Sequence, residues 1–225
     1  MEQRMNETGT ETGVAATALM GAAAGAIAVW ALDRVDWFMW NRLDARTRTR
    51  TVSVRPAGEP PSHALVSKIE KAAGLNPTDR QHDLAGDITH YMIGIGPAAG
   101  YAVMRDKLPG RGPMRGLLYG LGVFLMQDEA FNTATGLGAK PQAYPWQAHA
   151  RGLIAHLVYG VTTELVLNVM ERAVESARSG GTAGGTGPAM ELSRDSNGKR
   201  VDKGTETART DEAEIQGQPS PISTH

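Results

Sequence analysis

Residues 13–32 are twenty consecutive residues without a single charge, GVAATALMGAAAGAIAVWAL. At a rise of about 1.5 Å per residue, a helix of this length spans roughly the 30 Å hydrocarbon core of a bilayer. The segment therefore predicts a transmembrane helix. A cleaved signal peptide is the alternative interpretation, but the residues before it include Glu2, Glu7 and Glu11, where a signal peptide carries basic residues.

Three further apolar segments follow, at about 84–104, 113–129 and 150–171. The first of them contains Pro97, which membrane helices tolerate where neighbouring helices satisfy the freed carbonyl. Taken singly, the last two resemble buried helices of a soluble protein. Taken together, four such segments with Gly/Ala-rich faces and terminal Trp or Tyr favour an all-α, polytopic membrane bundle of four transmembrane helices. The mean hydropathy of −0.30 conceals this segregation.

The remaining segments are polar. Residues 1–12 form a polar N-terminal segment, and residues 33–83 form a long connection between the first two helices of the membrane domain, residues 13–172. In this connection Trp37, Phe38 and Trp40 lie among arginines, which suits a helix extension in the lipid headgroup layer; a plain helix end with exposed aromatics is the alternative.

A short helix is predicted within the connection, after Pro61. Ser62 is the expected cap, Gly74 the expected end, and the apolar side is expected to contain Leu65, Ile69 and Ala72. This helix is expected to lie over the mouth of the bundle. The last segment, residues 173–225, is rich in Gly, Ser, Thr and mixed charges, which predicts a disordered tail.

Composition excludes several classes of function. With 23 basic and 24 acidic residues, the chain lacks the charge of a nucleic-acid binder. The absence of cysteine excludes disulfides, thiolate metal sites and cysteine nucleophiles. No phosphate loop, nucleophile elbow or dinucleotide fingerprint is present, so no cofactor is predicted and a non-enzyme is favoured, with the enzyme question left open.

Two helix pairs have similar spacing and suggest an internal repeat of helix hairpins. Gly21-x3-Gly25 begins twelve residues before Asp33, and Gly116-x3-Gly120 begins twelve residues before Asp128. Likewise His90-x3-Gly94 corresponds to His156-x3-Gly160. Coincidence among Gly/Ala-rich helices is the alternative. Small residues four apart let helices approach closely, so we assign the glycines to helix packing; they are Gly21, Gly25, Gly94, Gly116, Gly120 and Gly160.

Alternating passage through the bilayer would bring most of the polar helix residues to one end of the bundle. Ionisable residues within membrane helices are costly and are candidates for function. The candidate cluster comprises Asp33, Asp87, His90, Asp128, Glu129, His156 and Glu164, with Asp36, Asp83 and His149 at the same end. Arg105, Lys107, Arg111, Arg115, Glu171 and Arg172 are expected at the other end.

Three interpretations of this cluster stay open: interhelical hydrogen bonds, proton-linked chemistry and a divalent metal site. Asp87 and His90 share a helix face, and His156 would approach them if the repeat is real. No metal-binding spacing supports the third interpretation, so the metal is unknown. Glu164 lies deeper and is expected to bond to Thr162, Thr163 or Asn168.

Charge in the loops predicts the orientation. Residues 105–115 contain four basic residues and residues 128–150 contain only Lys140, which places both termini in the cytoplasm and the cluster towards the periplasm. The long connection contains nine basic residues and opposes this orientation, but long connections translocate with less regard to charge.

The order of residues along the four helices resembles the YagU-like family of bacterial inner-membrane proteins over about residues 14–172. The similar stretches are Ile88-Thr89-His90, 100–103 (GYAV), Leu108-Pro109, 115–120 (RGLLYG), 135–137 (TGL) with Pro141, Pro145-Trp146, and 155–158 (AHLV). The resemblance implies a multi-pass inner-membrane protein without implying an activity. The first helix, the arginine-rich connection and the tail depart from the family pattern.

These observations predict a structural or stress-related membrane component whose cluster joins the helices. A small proton-linked transporter or permease is the alternative, and it would act as an oligomer because four helices are few for a pathway. The expected partners are the lipid bilayer and further copies of the chain.

Overall fold

The computed structural model describes residues 2–182, and the side chains of residues 13–179 apart from residue 57. Every element of secondary structure in the described residues is a helix, which confirms the all-α prediction. The elements are α1 (Glu2–Trp40), α2 (Ala45–Ser53), α3 (Pro61–Ala73), α4 (Asp79–Met104), α5 (Pro113–Val123), a π-helix (Phe124–Phe131), α6 (Asn132–Ala134) and α7 (Trp146–Thr182). Three short 3₁₀-helices cover Pro56–Gly58, Arg105–Lys107 and Pro141–Ala143.

All four predicted apolar helices are present, with longer bounds. α1 continues to Trp40, as expected for the aromatic extension. α4 begins at Asp79 because Thr78 and Gln81 form a reciprocal capping box ahead of the apolar stretch. α7 continues to Thr182, so residues 173–182 of the predicted tail are helical. The rest of that tail, residues 183–225, lies outside the described residues.

Two of the helices are long and apolar enough to cross a membrane. The spans are Gly13–Trp40, with a mean hydropathy of 1.8, and Trp146–Ser179, with a mean hydropathy of 1.5. α4 and the unit formed by α5 and the π-helix are not among these candidate membrane spans. His90 and Pro97 interrupt the apolar residues of α4, and Gln127, Asp128 and Glu129 follow the apolar residues of the other unit.

Glycines at the helix contacts fix the arrangement of α1 and α4. A Cβ atom added to Gly21 would lie 2.6 Å from both the Ala102 Cβ and the Ala98 carbonyl oxygen. A Cβ on Gly25 would lie 2.6 Å from the Ala98 Cβ, and one on Gly94 would collide with a methyl group of Val29. The two helices therefore approach with almost nothing between their backbones.

The contact between α5 and α7 has the same construction. A Cβ on Gly116 would lie 2.7 Å from the Gly160 carbonyl oxygen, and one on Gly160 would collide with the Gly116 carbonyl oxygen. A Cβ on Gly120 would collide with the His156 carbonyl oxygen. α1 also packs along α7, so these two helices are central and α4 and α5 flank them.

Tyrosines bridge the two flanking helices across the core. The Tyr101 ring of α4 stacks on the Tyr119 ring of α5 with centroids 3.9 Å apart. The Tyr119 and Tyr159 hydroxyls lie 2.9 Å apart, and the Tyr159 hydroxyl donates to the Gly94 carbonyl oxygen at 2.6 Å. Alanines such as Ala24 and Ala98 fill the remaining core, which is why so few large apolar residues suffice.

The helix within the connection differs from its prediction in two respects. Pro60 is the residue before α3, and Ser62 makes no capping bond and is buried. The predicted apolar side is wrong for Ile69 and Ala72, which are exposed, whereas Leu65 is half-buried and faces the pocket described below. The buried positions are Ser62, Ala64 and Val66. The cause is tertiary: α3 packs on α4, and small side chains permit that approach. Gly74 ends the helix with a φ of +66°, as predicted.

Candidate functional site

The predicted polar residues separate into two sites at opposite ends of the bundle. The ends of α1 and of the α5–π-helix unit meet the starts of α4 and α7 at one end, and this end contains a pocket of about 420 Å³. Asp33, His90, Asp128, Glu129 and His156 all line it. Glu164 belongs to the other end, and Asp87 lines neither site.

The pocket has an apolar wall and a polar rim. Val29, Leu32, Ile93, Val123 and Phe124 form the wall. The rim adds charged and polar residues that the candidate cluster did not contain, namely Asp36, Arg55, Gln127, Tyr144, His149, Arg151 and Tyr159. Its size lies within the usual range for small-molecule sites, about 300–1,000 Å³.

The first interhelical pair joins α1 to α4. The His90 Nε2 lies 2.9 Å from the Asp33 Oδ1, and both side chains are partly exposed to the pocket. Asp87 lies one turn before His90 on α4, but its side chain is exposed and forms no hydrogen bond or ion pair with any described residue. Asp87 therefore acts on His90 only as a nearby charge and makes no direct bond to either histidine among the described residues.

The second pair joins the π-helix to α7. The His156 Nδ1 lies 2.9 Å from the Gly152 carbonyl oxygen and 3.6 Å from the Asp128 Oδ2. The shorter distance makes the carbonyl the main acceptor for the Nδ1–H. Asp128 is thus a nearby charge rather than the principal hydrogen-bond partner of His156.

A third pair lies at the rim, where both nitrogens of His149 face acceptors. The His149 Nδ1 lies 2.6 Å from the Glu129 Oε1, and its Nε2 lies 2.9 Å from the Pro141 carbonyl oxygen. Both bonds form together only when both ring nitrogens carry a hydrogen. The geometry therefore favours the imidazolium form of His149.

The π-helix is responsible for the position of the acidic pair. Asp128 and Glu129 are adjacent in sequence, and in an α-helix neighbouring side chains point about 100° apart. The wider turn of the π-helix brings Gln127, Asp128 and Glu129 to the pocket together. π-helices are rare and frequently occur at functional sites, so this segment is a candidate part of a functional site. The hydropathy pattern of the sequence does not reveal it.

Two arginines complete the rim. The Arg151 Nη1 donates to the Asp36 Oδ2, and its guanidinium lies 4.9 Å from the centre of the Trp40 ring. The Arg55 side chain is partly buried and forms no hydrogen bond or ion pair with any residue in the described part of the chain. Burial lowers the pKa of Arg55, and the positive charge of Arg151 lowers it further.

Glu164 is the buried centre of a network of hydrogen bonds and ion pairs at the other end of the bundle, and it is only 1% exposed. The Tyr101 hydroxyl donates to its Oε2 at 2.6 Å, and the Arg105 Nη1 donates to the same oxygen at 3.3 Å. Arg105 also donates to Glu171, and the Arg115 Nη1 lies 3.9 Å from the Glu164 Oε1.

Of the three alternative partners predicted for Glu164, Asn168 is confirmed, since its Nδ2 donates to the Glu164 Oε1 at 3.5 Å. Thr163 donates to the Tyr159 carbonyl oxygen instead. Threonines in helices commonly bond to the carbonyl one turn earlier, and this leaves the carboxylate to a buried arginine from another helix. Thr162 forms no side-chain hydrogen bond within the described residues.

No group of three or more His, Cys, Asp or Glu side chains within the described residues is arranged to hold a metal ion. The imidazoles and carboxylates are distributed as separate pairs around the pocket rim. The metal interpretation of the cluster therefore gains no geometric support from the described part of the chain.

Comparison with family models, curated proteins and solved structures finds no match to this chain. The resemblance to the YagU-like family therefore stays a prediction. The function has to be argued from the pocket and the surface of the bundle.

Sequence reasoning placed Asp36 and His149 at the pocket end but left them out of the cluster, and it missed Arg55, Arg151 and Tyr159. Arg151 had a signal, since it lies near the start of an apolar helix where a charge is unexpected. The sequence contained no such signal for Arg55, because the path of a proline-rich loop in three dimensions cannot be predicted from its composition.

Proposed function

We propose that the chain is a multi-pass protein of a bacterial inner membrane in which α1, α4, the α5–π-helix unit and α7 all cross the bilayer. The support is the outer surface of the bundle. Each of these four units exposes a large apolar side chain by 61–71%, whereas the charged Arg105 and Glu164 are buried inside the bundle. The four exposed residues are Leu19, Met92, Met126 and Val169. In water such a surface would be an aggregation hazard, whereas lipid solvates it.

Aromatic and basic residues lie where such a bundle would meet the headgroups. Trp37 and Trp146 are 66% and 73% exposed at the pocket end, and the Arg42 guanidinium lies 3.3 Å from the centre of the Phe38 ring. Trp, Tyr and Arg prefer this layer because their apolar bodies sit in lipid while their polar ends reach water. We place this end in the periplasm and both termini in the cytoplasm, following the short basic connection 105–115.

The activity that the site supports best is proton-linked binding and passage of a small solute. The observation that carries this proposal is the pocket of about 420 Å³ rimmed by three His–carboxylate pairs. Histidine exchanges protons near neutral pH, so a solute and a proton would compete or cooperate within the same rim. A bundle of four helices would supply one part of a pathway, and further copies would supply the rest.

Flux measurements in proteoliposomes test this activity. The protein is reconstituted with a pH-sensitive dye inside, and proton movement is followed after addition of small carboxylates, amino acids or amines. Asp33→Asn and His90→Gln are expected to reduce the flux at least several-fold. Asp79→Asn is the matched control, since Asp79 is an exposed carboxylate of α4 outside the pocket, and it is expected to have no effect. A wild-type protein without flux for any solute would contradict the proposal.

A structural or stress-related membrane component is the second candidate, and the Glu164 network favours it. That network joins α4, α5 and α7 through the almost fully buried Glu164. Under this function the variants Asp33→Asn and His90→Gln would lower thermal stability in detergent and change no flux.

A further inference from the structure

The pocket contains four carboxylates, and each of them already has a partner within it. Asp33, Asp128 and Glu129 lie beside histidines, and Asp36 accepts from Arg151. Arg55 is the only guanidinium on the rim that forms no ion pair with a described residue. Asp36 acts on Arg55 as a nearby charge and forms its ion pair with Arg151, so a direct anionic partner for Arg55 would have to come from a ligand.

Arg55 reaches the pocket from the loop after α2, and its charge is partly withdrawn from water. A buried cation without a hydrogen-bonded partner is unfavourable, and an anion within reach of the guanidinium offsets that cost. Planar carboxylates match the guanidinium fork best, because two parallel hydrogen bonds form at once.

Arg151 brings a second positive charge to the same rim. Its Nη1 donates to Asp36, and its guanidinium lies 4.9 Å from the centre of the Trp40 ring. Both arginines therefore line one small pocket, and of the two only Arg55 lacks an ion pair with a described residue.

We propose that Arg55 and Arg151 form an anion-binding subsite of the pocket, and that the ligand is a small organic monocarboxylate whose apolar body lies on the wall formed by Val29, Leu32 and Ile93. This inference rests on the proposed function and names its substrate class. The apolar wall favours an organic acid over an inorganic anion. A dianion such as phosphate is disfavoured because the carboxylates on the rim outnumber the arginines.

Protonation of the rim determines how strongly an anion binds. The charged groups come from every surrounding element, α1 (Asp33, Asp36), the loop after α2 (Arg55), α4 (His90), the π-helix (Asp128, Glu129) and α7 (His149, Arg151, His156), with Tyr144 and Tyr159 as neutral hydroxyls. Four carboxylates and two guanidiniums give the rim a formal charge of −2 when the imidazoles are neutral and +1 when all three are protonated. Anion affinity is therefore expected to rise as the pH falls and the imidazoles take up protons.

Calorimetry on the detergent-purified full chain tests the subsite, with butyrate as the probe and butyramide and butylamine as neutral and cationic isosteres. Butyrate is expected to bind saturably, and at least about threefold more tightly at pH 5.5 than at pH 7.5, while the isosteres do not bind. Equal binding of butyrate and butyramide, binding of butylamine instead, or no butyrate binding would overturn the inference. Tighter binding of inorganic phosphate than of butyrate would overturn the monocarboxylate assignment.

Variants locate the subsite. Arg55→Gln is expected to weaken butyrate binding about tenfold or more, whereas Arg50→Gln, the same change at an exposed position of α2 outside the pocket, leaves it within about twofold. Equal losses in both variants would contradict the assignment. The comparison of butyrate with butyramide on the wild-type protein stays decisive if Arg55→Gln does not fold.

The flux assay separates failure of this inference from failure of the proposed function. Flux that depends on His90 but not on Arg55, and that is driven by amines or neutral solutes, would overturn the subsite and leave the proton-linked function in place. Butyrate binding without any flux would overturn the function and leave the subsite in place.

Discussion

Two buried or half-buried acidic residues show how differently the same side chain is used in this bundle. Glu164 is enclosed by a tyrosine and two arginines, so its charge is neutralised by fixed groups. Asp33 lines a pocket and lies beside the His90 imidazole, a group that can gain or lose a proton. We therefore expect the charge around Glu164 to stay constant and the charge around Asp33 to change with pH or with a bound ligand.

Removal of the Glu164 charge should therefore destabilise the whole bundle. Glu164→Gln leaves Arg105 buried without its carboxylate, and in soluble proteins loss of one partner of a buried pair costs about 3–5 kcal/mol. We expect a clear fall in the thermal unfolding midpoint in detergent. Glu175→Gln is the matched control on the exposed end of α7, and it should change the midpoint little. Equal midpoints for the two variants would show that the network contributes nothing.

His82 provides a pH-dependent tie between α3 and α4. The hydrogen bond to Glu70, 2.9 Å from the His82 Nδ1, raises the pKa of His82. Burial opposes this shift as the second-largest contribution, and the charges of Glu70, Glu59 and Asp83 add to the rise. Because the pKa is raised in the folded state, the stabilisation is fully present below the unfolded pKa of about 6.5 and is lost as the pH rises through the folded pKa.

The change that isolates this tie is His82→Gln. We expect the difference in thermal midpoint between wild type and His82→Gln to be largest below about pH 6 and to shrink at higher pH. Thermal unfolding across pH 5.5–8.5 measures it. In a Glu70→Gln background the pH dependence of that difference should largely disappear; a difference that grows with pH would reverse the assigned sign.

At the scale of elements, the two glycine-rich contacts determine which helices pair. α1 meets α4, and α5 meets α7, at positions where a single extra carbon has no room. The paired spacing of these glycines and of the His and Asp residues that follow supports two similar hairpins, which we retain as a proposal. The π-helix then reorients the end of the second hairpin, so that its acidic residues reach the pocket.

Gly160→Ala tests the contact between α5 and α7. Its Cβ would meet the backbone of Gly116 and Gly120, so the helices must separate, and we expect a substantial fall in the thermal midpoint. Gly96→Ala is the matched control, because a Cβ there has nothing within 4 Å. Helix propensity alone would make that control neutral or stabilising by up to about 1 kcal/mol. A fall of similar size in both variants would argue against close packing at Gly160.

On the surface of the bundle, large apolar side chains are exposed on four helices, while tyrosines, ion pairs and small apolar residues lie inside. Under the proposed membrane location, lipid would surround these exposed side chains.

Cysteine labelling tests how many helices cross the membrane. The chain contains no cysteine, so single substitutions at Leu19, Met92, Met126 and Val169 each create a unique thiol. We expect all four to resist a water-soluble maleimide in vesicles and to react after denaturation, whereas Arg80→Cys reacts at once because it is exposed before the apolar part of α4. Labelling at Met92 and Met126 alone would reduce the number of membrane helices to two.

Local sequence patterns were enough to predict the helices and the end at which their polar residues meet. Uncharged length, small-residue spacing and the alternating direction of successive helices are all read from short stretches of sequence. The all-α class, the positions of the four long helices and the grouping of Asp33, His90, Asp128 and His156 could therefore be predicted. The end of α3 at Gly74 was predictable for the same reason, because a left-handed residue favours glycine wherever it occurs.

Only the tertiary structure decided which polar residues face the pocket. Asp87 and His90 share a face by helical spacing, yet only His90 reaches the rim, because the rotation of α4 is set by Gly94 against Val29. Arg55 reaches the pocket through the path of a loop, Glu164 finds its partners on two other helices, and the π-helix turns Asp128 and Glu129 inward. Each depends on contacts between residues distant in sequence, which no local pattern records.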